Sequence, residues 1–325
     1  MYYLGIDIGG TNIVCGLVDQ EGTILSKASV KTAVPRSEEA ICDDMAKLCL
    51  AVSEQYGKDM DQIYSIGIGA PGSANKQTGV VEFSTNLYFH NWELVKMMEE
   101  RTGKRIFIEN DANTAALAEY LVGAAKGTKN AVVITIGTGI GSGIIIDGKL
   151  YNGCNDTGGE MGHMVIVHGG EQCSCGRRGC FEQYASASAL VRLTKEAMKI
   201  HSKKEDTILW ELCNGDLSKL SGRSAFQGMK QNDAVSKEVL DRYFDYLGCG
   251  LVNVINTFQP EILCIGGGIS KEGETLLAPL RTYIQRERYS KHSKIQTRLV
   301  SACLGNDAGV IGAALLPITR ESGNF

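Results

Sequence analysis

A repeated strand–turn–strand motif constrains the fold of this chain more than any other feature of its sequence. One copy, "IDIGGTNIVCGLVDQEG", starts at Ile6, and the other, "ITIGTGIGSGIIIDG", starts at Ile134. Each copy runs from an apolar strand through a small glycine turn into a second apolar strand, which ends at an aspartate and a further turn. The repeat indicates an internal duplication and predicts two related halves that face one another. A simpler alternative, that any two hairpins with glycine turns look alike, stays open.

The remaining pattern is that of an α/β protein. Three strands are predicted first, at residues 2–8, in "IVCGLVD" and in "EGTILSKASV". Apolar spacing then predicts a helix over residues 38–56, and strands and helices alternate from "IYSIGIGAPG" to a helix that begins at Asp111. "PEILCIGGGIS" predicts a strand that enters three glycines, and "NDAGVIGAALLPI" predicts a helix capped by Asn306 or Asp307.

Length and composition narrow the class of protein. At 325 residues the chain is long for one domain, so two domains or lobes are expected. The net charge is −4 and no dense block of lysine and arginine occurs, which argues against a nucleic-acid partner. The odd number of cysteines, 11, favours a reducing compartment over a disulfide framework. The N-terminus lacks the pattern of a signal peptide, and the longest uncharged run, residues 131–146, is shorter than the roughly 20 residues of a membrane helix. A soluble, cytoplasmic protein with no membrane partner is therefore expected.

Glycine turns at strand ends form a candidate nucleotide site. Such turns let backbone N–H groups approach phosphates, Thr11 adds a hydroxyl donor, and Asp7 is placed to hold Mg²⁺ through water. Three turns of this kind predict a nucleotide held between two lobes. The residues assigned to ATP and Mg²⁺ are Asp7, Gly9, Gly10, Thr11, Thr138, Gly139, Gly266, Gly267 and Gly268.

Two other nucleotide motifs are excluded. The segment from Gly67 to Gly72 satisfies G-x-G-x-x-G, but the residues after it do not open a helix, and a dinucleotide site needs that helix N-terminus. No G-x4-G-K-[ST] phosphate loop occurs in the sequence.

The tripeptide Glu109-Asn110-Asp111 stands between a predicted strand and a predicted helix. Asparagine and aspartate are preferred N-caps, so a capping role explains one of them without any function. The functional alternative is that Asp111 accepts a proton from a substrate hydroxyl while Asn110 orients that hydroxyl. The spacing alone leaves both interpretations open.

Residues 158–183, "GGEMGHMVIVHGGEQCSCGRRGCFEQ", bring together acids, histidines and thiols. Cys173, Cys175 and Cys180 lie within eight residues on a glycine-rich backbone that can fold around an ion. A structural zinc site takes four nitrogen or sulfur ligands in a tetrahedron, so one histidine is missing. His163 and His168 are the two choices. Four protein ligands leave no open position, so the predicted zinc is structural.

Several motifs in this order resemble the ROK family of sugar kinases and related repressors, and most of all its bacterial glucokinase-type members. They extend from residue 4 to about residue 316. The motifs are "GIDIGGTN", "GIGAPG", "IENDANTAALAE", "TIGTGIGSGIIIDGKLYNG", "GGEMGHM", "CSCGRRGCFEQYAS" and "PEILCIGGGIS".

The resemblance implies an actin-like ATPase (ribonuclease H-like) α/β fold, two lobes with a central cleft. The expected lobes are residues 1–115 with about 307–325, and residues 116–306 with the zinc loop. The implied cofactors are ATP, Mg²⁺ and structural Zn²⁺, and relatives are commonly dimers or tetramers.

The resemblance also implies roles for individual residues. Asp111 is then the catalytic base, and the sugar is bound by Asn110, Asp111, Glu160, His163 and Glu182. The zinc ligands are His163, Cys173, Cys175 and Cys180, which makes His168 a bystander. One imidazole would serve both sites, because metal at one ring nitrogen fixes the other as a donor towards the sugar.

The predicted activity is transfer of the ATP γ-phosphoryl group to the 6-hydroxyl of glucose. The glucokinase-type pattern has a proline before the asparagine of its "NL" segment, whereas this chain has Thr85 before Asn86. N-acetylmannosamine, N-acetylglucosamine, fructose, mannose and allose therefore stay open as acceptors. A sugar-sensing repressor is disfavoured because no helix-turn-helix fits before the first strand. A zinc-bearing interaction protein without activity is disfavoured because the candidate site residues are all present.

Overall fold

The structure is a computed structural model and describes residues 1–84, 87–203 and 205–321. The chain forms two compact units. The first consists of Met1–Val133, Gly143–Gly159 and the residues from Cys303 onward, and the second consists of Ile134–Ser142 and Glu160–Ala302. The chain therefore crosses between the units four times.

The first unit is built on a five-stranded sheet in the order β3-β2-β1-β4-β8. Strands β1 (Tyr2–Ile8), β2 (Asn12–Asp19) and β3 (Ile24–Lys31) form an antiparallel meander, and β4 (Ile63–Ala70) and β8 (Ile106–Asn110) continue the sheet parallel to β1. Its helices are α1 (Glu38–Gln55), α2 (Leu94–Thr102), α3 (Asp111–Leu121) and α10 (Ala308–Glu321).

Alternation along β1 decides which face each side chain takes. Leu4, Ile6 and Ile8 pack in the core that includes α1, whereas Tyr3 packs on the opposite face with Val310 of α10. Gly5 and Asp7 share the face of Tyr3. The pleat therefore turns the Asp7 carboxyl towards α10, away from the apolar core that includes α1.

The second sheet repeats the strand order of the first, as β11-β10-β9-β12-β13. Its strands are β9 (Ala131–Ile136), β10 (Ile140–Ile146), β11 (Lys149–Leu150), β12 (Ile262–Gly267) and β13 (Arg298–Ser301). The hairpin β9–β10 holds the position that β1–β2 holds in the first sheet. The duplication read from the sequence is confirmed at the level of sheet order.

Helices of the second unit follow the second glycine turn. They are α4 (Glu182–Ala185), α5 (Ala187–Ile200), α6 (Leu209–Leu212), α7 (Ser224–Lys230), α8 (Ala234–Phe258) and α9 (Glu274–Glu287). Ser186 caps α5 by accepting a hydrogen bond from the Ala189 N–H, and Asp233 caps α8 through the Ser236 N–H. The C-terminal helix was expected to be capped at Asn306 or Asp307; a 3₁₀ turn, Gly305–Asp307, precedes it.

A small sheet of three strands was missed by the sequence analysis. Strands β5 (Ser73–Asn75), β6 (Val80–Ser84) and β7 (Phe89–Trp92) form an antiparallel meander. These strands have only three to five residues, too few for alternation to mark them, although β6 and β7 carry valine, phenylalanine and tryptophan.

The predicted lobe boundaries at residues 115 and 307 stay predictions, and the compact units end at other residues. Helix α3 packs along its length against α10, with Ala118 and Leu117 in contact clusters that include Ile311 and Leu316. The whole of α3 therefore belongs to the first unit. In the part of the chain that the structure describes, no helix is both long enough and apolar enough to cross a membrane.

Candidate active site and metal centre

Asn110 ends β8 and caps α3. Its Oδ1 accepts hydrogen bonds from the N–H groups of Ala112 at 2.9 Å and Asn113 at 3.2 Å, so the capping interpretation is confirmed. Its Nδ2 donates to the Gly72 carbonyl at 3.1 Å. An amide nitrogen carries two N–H bonds. The Asn110 side chain also hydrogen-bonds the Asp111 carboxyl, so its amide lies directly beside that group.

Asp111 is the first residue of α3 and is half-buried. Its Oδ1 accepts a hydrogen bond from the Ala112 N–H at 2.9 Å. Burial raises the pKa of Asp111 above its usual range, and the hydrogen bonds from Ala112 and Asn110 oppose that shift. A carboxylate with a raised pKa is a stronger base than an ordinary aspartate, as general base catalysis requires.

Asp7 lies on the same side of the sheet as Asp111. Burial raises the pKa of Asp7 to about 7, and the negative charge of Asp111 adds to the shift. Gly309 at the start of α10 leaves room for the Asp7 carboxyl, because a Cβ there would be 2.5 Å from Asp7 Oδ2. Two neighbouring acids whose pKa values are both raised are suited to a cation or to a proton-transfer reaction.

In each of the three glycine turns, one glycine has room for a side chain, so close packing does not explain why that residue is glycine. A Cβ on Gly10, Gly137 or Gly268 would meet no atom within 4 Å, and none of the three has a positive φ. Their bare backbone is open to solvent, as a phosphate cradle requires. In contrast, Gly267 has a φ of 84° and its side chain would strike the Ile136 carbonyl, so its role is structural.

A cavity of about 260 Å³ adjoins the second glycine turn. It is lined by Thr138, Ala187, Ser188, Val191 and Gly222, so it lies at the N-terminus of α5. The Ala187 N–H donates to the Gly137 carbonyl at 2.9 Å and ties the turn to this helix. Small and apolar side chains beside an open glycine backbone suit the uncharged part of a nucleotide.

His163, Cys173, Cys175 and Cys180 form one cluster in which the ligand atoms all lie within 4.8 Å of one another. Cys175 Sγ is 3.6 Å from Cys180 Sγ, and Cys173 Sγ is 3.6 Å from His163 Nδ1. Zinc–sulfur bonds of about 2.3 Å in a tetrahedron place two sulfurs about 3.8 Å apart, so the geometry and donor set fit zinc. His168 is exposed and is not part of the cluster.

The backbone around the cluster explains why the loop folds this way. A hydrogen bond from the Gly176 N–H to the Cys173 carbonyl, 3.0 Å, closes a tight turn between the thiols. Gly179 has a φ of 84°, and a side chain there would strike the Val167 carbonyl. His163 enters from a 3₁₀ turn, Met161–His163, whose Gly162 packs directly on the Ile140 carbonyl.

Two acids stand beside the cluster. Glu182 begins α4, with Oε1 3.2 Å from Cys173 Sγ and 3.9 Å from His163 Nδ1. Its Oε2 reaches Gly139, where a Cβ would be only 2.7 Å away, so Gly139 leaves room for it. Glu160 comes directly before the 3₁₀ turn, and its carbonyl accepts from the His163 N–H at 3.1 Å. Residues three apart align in a 3₁₀ turn, so Glu160 and His163 share a side.

The structure thus gathers the predicted residues into two groups. Asp7, Asn110 and Asp111 belong to the first unit, with the Gly9–Gly10 turn and Thr11. Glu160, His163, Glu182, the three cysteines and the other two glycine turns belong to the second. Thr85 and Asn86, on which the prediction of sugar preference depends, lie outside the described residues.

Glu109, the first residue of the tripeptide Glu109-Asn110-Asp111, was assigned no role in the sequence analysis. It is 1% exposed, and its carboxylate is surrounded by amide and cationic donors. The sequence signal was an acid at the end of an otherwise apolar strand, "RIFIE", since a buried strand rarely carries a charge without partners.

Comparisons with known proteins agree with this geometry. The sequence model of the ROK family matches residues 3–320. A glucokinase from Thermotoga maritima is 38% identical over 322 residues, which cover 98% of each chain. The xylose repressor of Bacillus subtilis is 32% identical over 98% of this chain but only 77% of its own.

Among solved structures, a ROK family glucokinase from Streptomyces griseus, crystallised with glucose and AMPPNP, matches with a TM-score of 0.84. It is 36% identical, and the match covers 99% of this chain and 100% of that one. The fold is therefore the α/β actin-like ATPase fold seen in ROK glucokinases. The chain belongs to the ROK family.

Proposed function

We propose that this protein is an ATP-dependent hexose kinase that transfers the γ-phosphoryl group of ATP to the 6-hydroxyl of glucose. The observation that carries the proposal is Asp111, a half-buried carboxylate with a raised pKa beside the amide of Asn110. The similarity to two glucokinases over nearly the whole chain supports it.

In the proposed reaction, Asp111 takes the proton of the sugar 6-hydroxyl as the hydroxyl oxygen attacks the γ-phosphorus. The bond from that phosphorus to the β,γ-bridging oxygen breaks, and ADP leaves. The Asn110 Nδ2–H donates to a sugar hydroxyl and holds the acceptor in line. Phosphoryl transfer depends mostly on positioning and charge stabilisation, and proton removal by the base contributes about 10²–10⁴-fold.

The nucleotide is assigned to the glycine turns. The open backbones at Gly10, Gly137 and Gly268 would donate N–H groups to phosphate oxygens, with Thr11 and Thr138 as hydroxyl donors. The cavity beside Thr138 would take the uncharged end of ATP. Mg²⁺ would be held near Asp7, where it neutralises phosphate charge. Asp7 must be ionised for this, so metal binding competes with its proton.

The zinc cluster is assigned to sugar recognition. His163 turns Nδ1 towards the thiols, which leaves Nε2 to carry the proton and donate to a sugar hydroxyl. Glu160 and Glu182, on either side of the histidine, would accept hydrogen bonds from sugar hydroxyls. The zinc ion would hold the loop and the histidine tautomer and take no part in the transfer.

The test is an ATP-coupled phosphorylation assay over glucose, mannose, fructose, allose, N-acetylglucosamine and N-acetylmannosamine. Wild-type protein should phosphorylate glucose, and Asp111→Asn should lower kcat by about 10²–10⁴-fold with zinc content unchanged. Phosphorylation of an N-acetylhexosamine alone would keep the mechanism and replace the acceptor. A folded, zinc-loaded protein that phosphorylates none of these sugars would refute the kinase assignment and leave a sugar-sensing protein.

A cytoplasmic homodimer or homotetramer is the assembly we propose.

A further inference from the structure

Glu109 sits at the centre of a buried polar network directly before Asn110 and Asp111. Its Oε1 accepts three hydrogen bonds from neutral donors. These donors are the Asn110 N–H at 3.0 Å, Asn113 Nδ2 at 3.0 Å and Asn152 Nδ2 at 2.8 Å. Three short bonds to one oxygen fix that carboxylate in a single orientation.

The other oxygen of Glu109 faces two cations. Lys76 Nζ is 3.4 Å from Oε2, and Arg320 Nη2 is 3.6 Å from it. Lys76 also pairs with Asp156 at 3.2 Å, and Arg320 donates to the Ile108 carbonyl at 2.6 Å. The negative charges of Glu109 and Asp156 equal in number the positive charges of Lys76 and Arg320, so the network carries no net charge.

The network joins segments that are distant in sequence. Lys76 lies between β5 and β6, Asn152 and Asp156 lie in the loop after β11, and Arg320 lies near the end of α10. All belong to the first unit. Asn110 directly precedes Asp111 in the chain, and Asn113 follows it by two residues. Glu109 therefore binds the chain before and after the proposed base.

Stability alone does not explain this arrangement. Burying the Glu109 carboxylate against two partly buried cations costs desolvation energy that apolar residues of similar size avoid, so such ion pairs seldom add net stability. A fully satisfied polar network does fix one geometry, because each donor would lose its partner in any other. Fixed geometry is what a base needs when it must align a hydroxyl for in-line attack.

We propose that Glu109 is a positioning residue that holds Asn110 and Asp111 in the orientation needed for phosphoryl transfer, with Lys76 and Arg320 as its counter-ions. The inference rests on the proposed kinase function. Glu109 touches no reacting atom in this scheme and acts through its two neighbours. The network also makes the loop that carries Asn152 and the end of α10 part of the support for the base.

The first test is Glu109→Gln, which keeps the side-chain length and turns an amide N–H₂ towards Lys76 and Arg320. We expect kcat for sugar phosphorylation to fall by about 10- to 100-fold, because a displaced base loses alignment. The KM for ATP should stay within about two-fold, since this change does not touch the nucleotide turns. Glu82→Gln, on an exposed acid of the neighbouring β6, is the matched control and should keep wild-type kinetics.

A second variant keeps the proposal testable if Glu109→Gln does not fold. Lys76 is 26% exposed at its side chain, so Lys76→Met tolerates the lost charge better and leaves Arg320 in place. We expect a smaller fall in kcat with the same unchanged KM for ATP. Lys96→Met, at an exposed lysine of α2, is its control.

A double-variant cycle separates positioning from a merely structural role. If Glu109 acts through Asp111, adding Glu109→Gln to Asp111→Asn should not lower the residual rate further. The inference would be overturned if Glu109→Gln lowered kcat by the same factor in the wild type and in Asp111→Asn. It would also be overturned if Glu109→Gln and Lys76→Met both kept kcat within about two-fold of wild type. Absence of any sugar phosphorylation by the wild type would refute the kinase proposal instead. Calorimetric sugar binding, weakened in Glu109→Gln through Asn110, would then still test the network.

Discussion

At the scale of single residues, Asn110 shows why a cap and a site residue are not alternatives. Its Oδ1 satisfies the N–H groups of Ala112 and Asn113, which any helix start leaves open. Its Nδ2 donates to the Gly72 carbonyl, and the same amide hydrogen-bonds the Asp111 carboxyl. The cap orients the amide, so the same contacts that begin α3 hold this donor beside Asp111.

Asp7 yields a prediction about pH and stability. Its pKa rises from an ordinary 3.8 to about 7 in the folded chain, so between these values the folded state keeps a proton that the unfolded state has lost. The stability from this group is full below the unfolded pKa and is lost as pH rises through about 7. Asp7→Asn, which cannot ionise, should therefore match wild type near pH 4 and exceed its stability by up to about 4 kcal/mol near pH 8.

The measurement is urea unfolding of Asp7→Asn and wild type at several pH values without Mg²⁺ or ATP. Asp241→Asn, at an exposed acid of α8, controls for the loss of one negative charge. A stability difference for Asp7→Asn that is the same at every pH would show that Asp7 does not titrate in this range.

At the scale of elements, α10 determines how closely the first unit packs. A side chain on Gly5 would strike the Val310 carbonyl, one on Gly67 the Ala313 carbonyl, and one on Gly312 the Thr114 carbonyl. Glycines on β1, β4 and α10 thus let the helix backbone lie directly on the sheet and on α3. This close approach brings α10 against the Asp7 carboxyl through Gly309.

Substitution by alanine should affect the glycines of the turns differently from the glycines where α10 packs on the sheet and on α3. Gly312→Ala should destabilise the protein by about 1–3 kcal/mol because the helix must move off α3. Gly10→Ala should unfold at the wild-type temperature, since its Cβ meets nothing within 4 Å. It should nevertheless raise the KM for ATP about ten-fold, equivalent to about 1.4 kcal/mol, by blocking approach of the phosphates. Thermal unfolding and steady-state kinetics of the two variants check both, and an unchanged KM for ATP in Gly10→Ala would argue against nucleotide at this turn.

At the scale of the whole molecule, the two sheets share one strand order but their inserted elements differ. The first unit holds the three-stranded sheet β5–β7, and the second holds the zinc loop and α4 to α9. The proposed base comes from the first unit and the metal cluster from the second. The sheet of the first unit carries the proposed base at the end of β8, and the zinc loop inserted in the second unit carries the metal cluster.

Zinc removal provides a prediction for the whole chain. Saturating glucose at 100 times its Kd should stabilise the zinc-loaded protein by about 2.7 kcal/mol. Cys180→Ser should lose zinc and most of this glucose-dependent stabilisation, because His163 is no longer held. Cys154→Ser, at an exposed thiol outside the cluster, should keep both. Thermal unfolding with and without glucose, together with zinc analysis, checks this, and undiminished glucose stabilisation in Cys180→Ser would separate the metal from sugar recognition.

The sequence by itself determined the local elements and the three thiols of the metal loop. Apolar runs that end in turns identified β1 to β4, apolar spacing over residues 38–56 identified α1, and three thiols within eight residues identified the metal loop. These features depend on neighbours along the chain, where period and spacing carry the information. The choice of His163 over His168 came from family resemblance, and the cluster geometry agrees with it.

Only the tertiary structure decided the surroundings of each group. The raised pKa of Asp7, the contact of Glu182 with Cys173 and the network around Glu109 all join residues that spacing along the chain does not relate. The small sheet β5–β7 also formed without a strong local pattern. Burial and hydrogen bonding between distant segments depend on how the elements pack, and no period in the sequence encodes that packing.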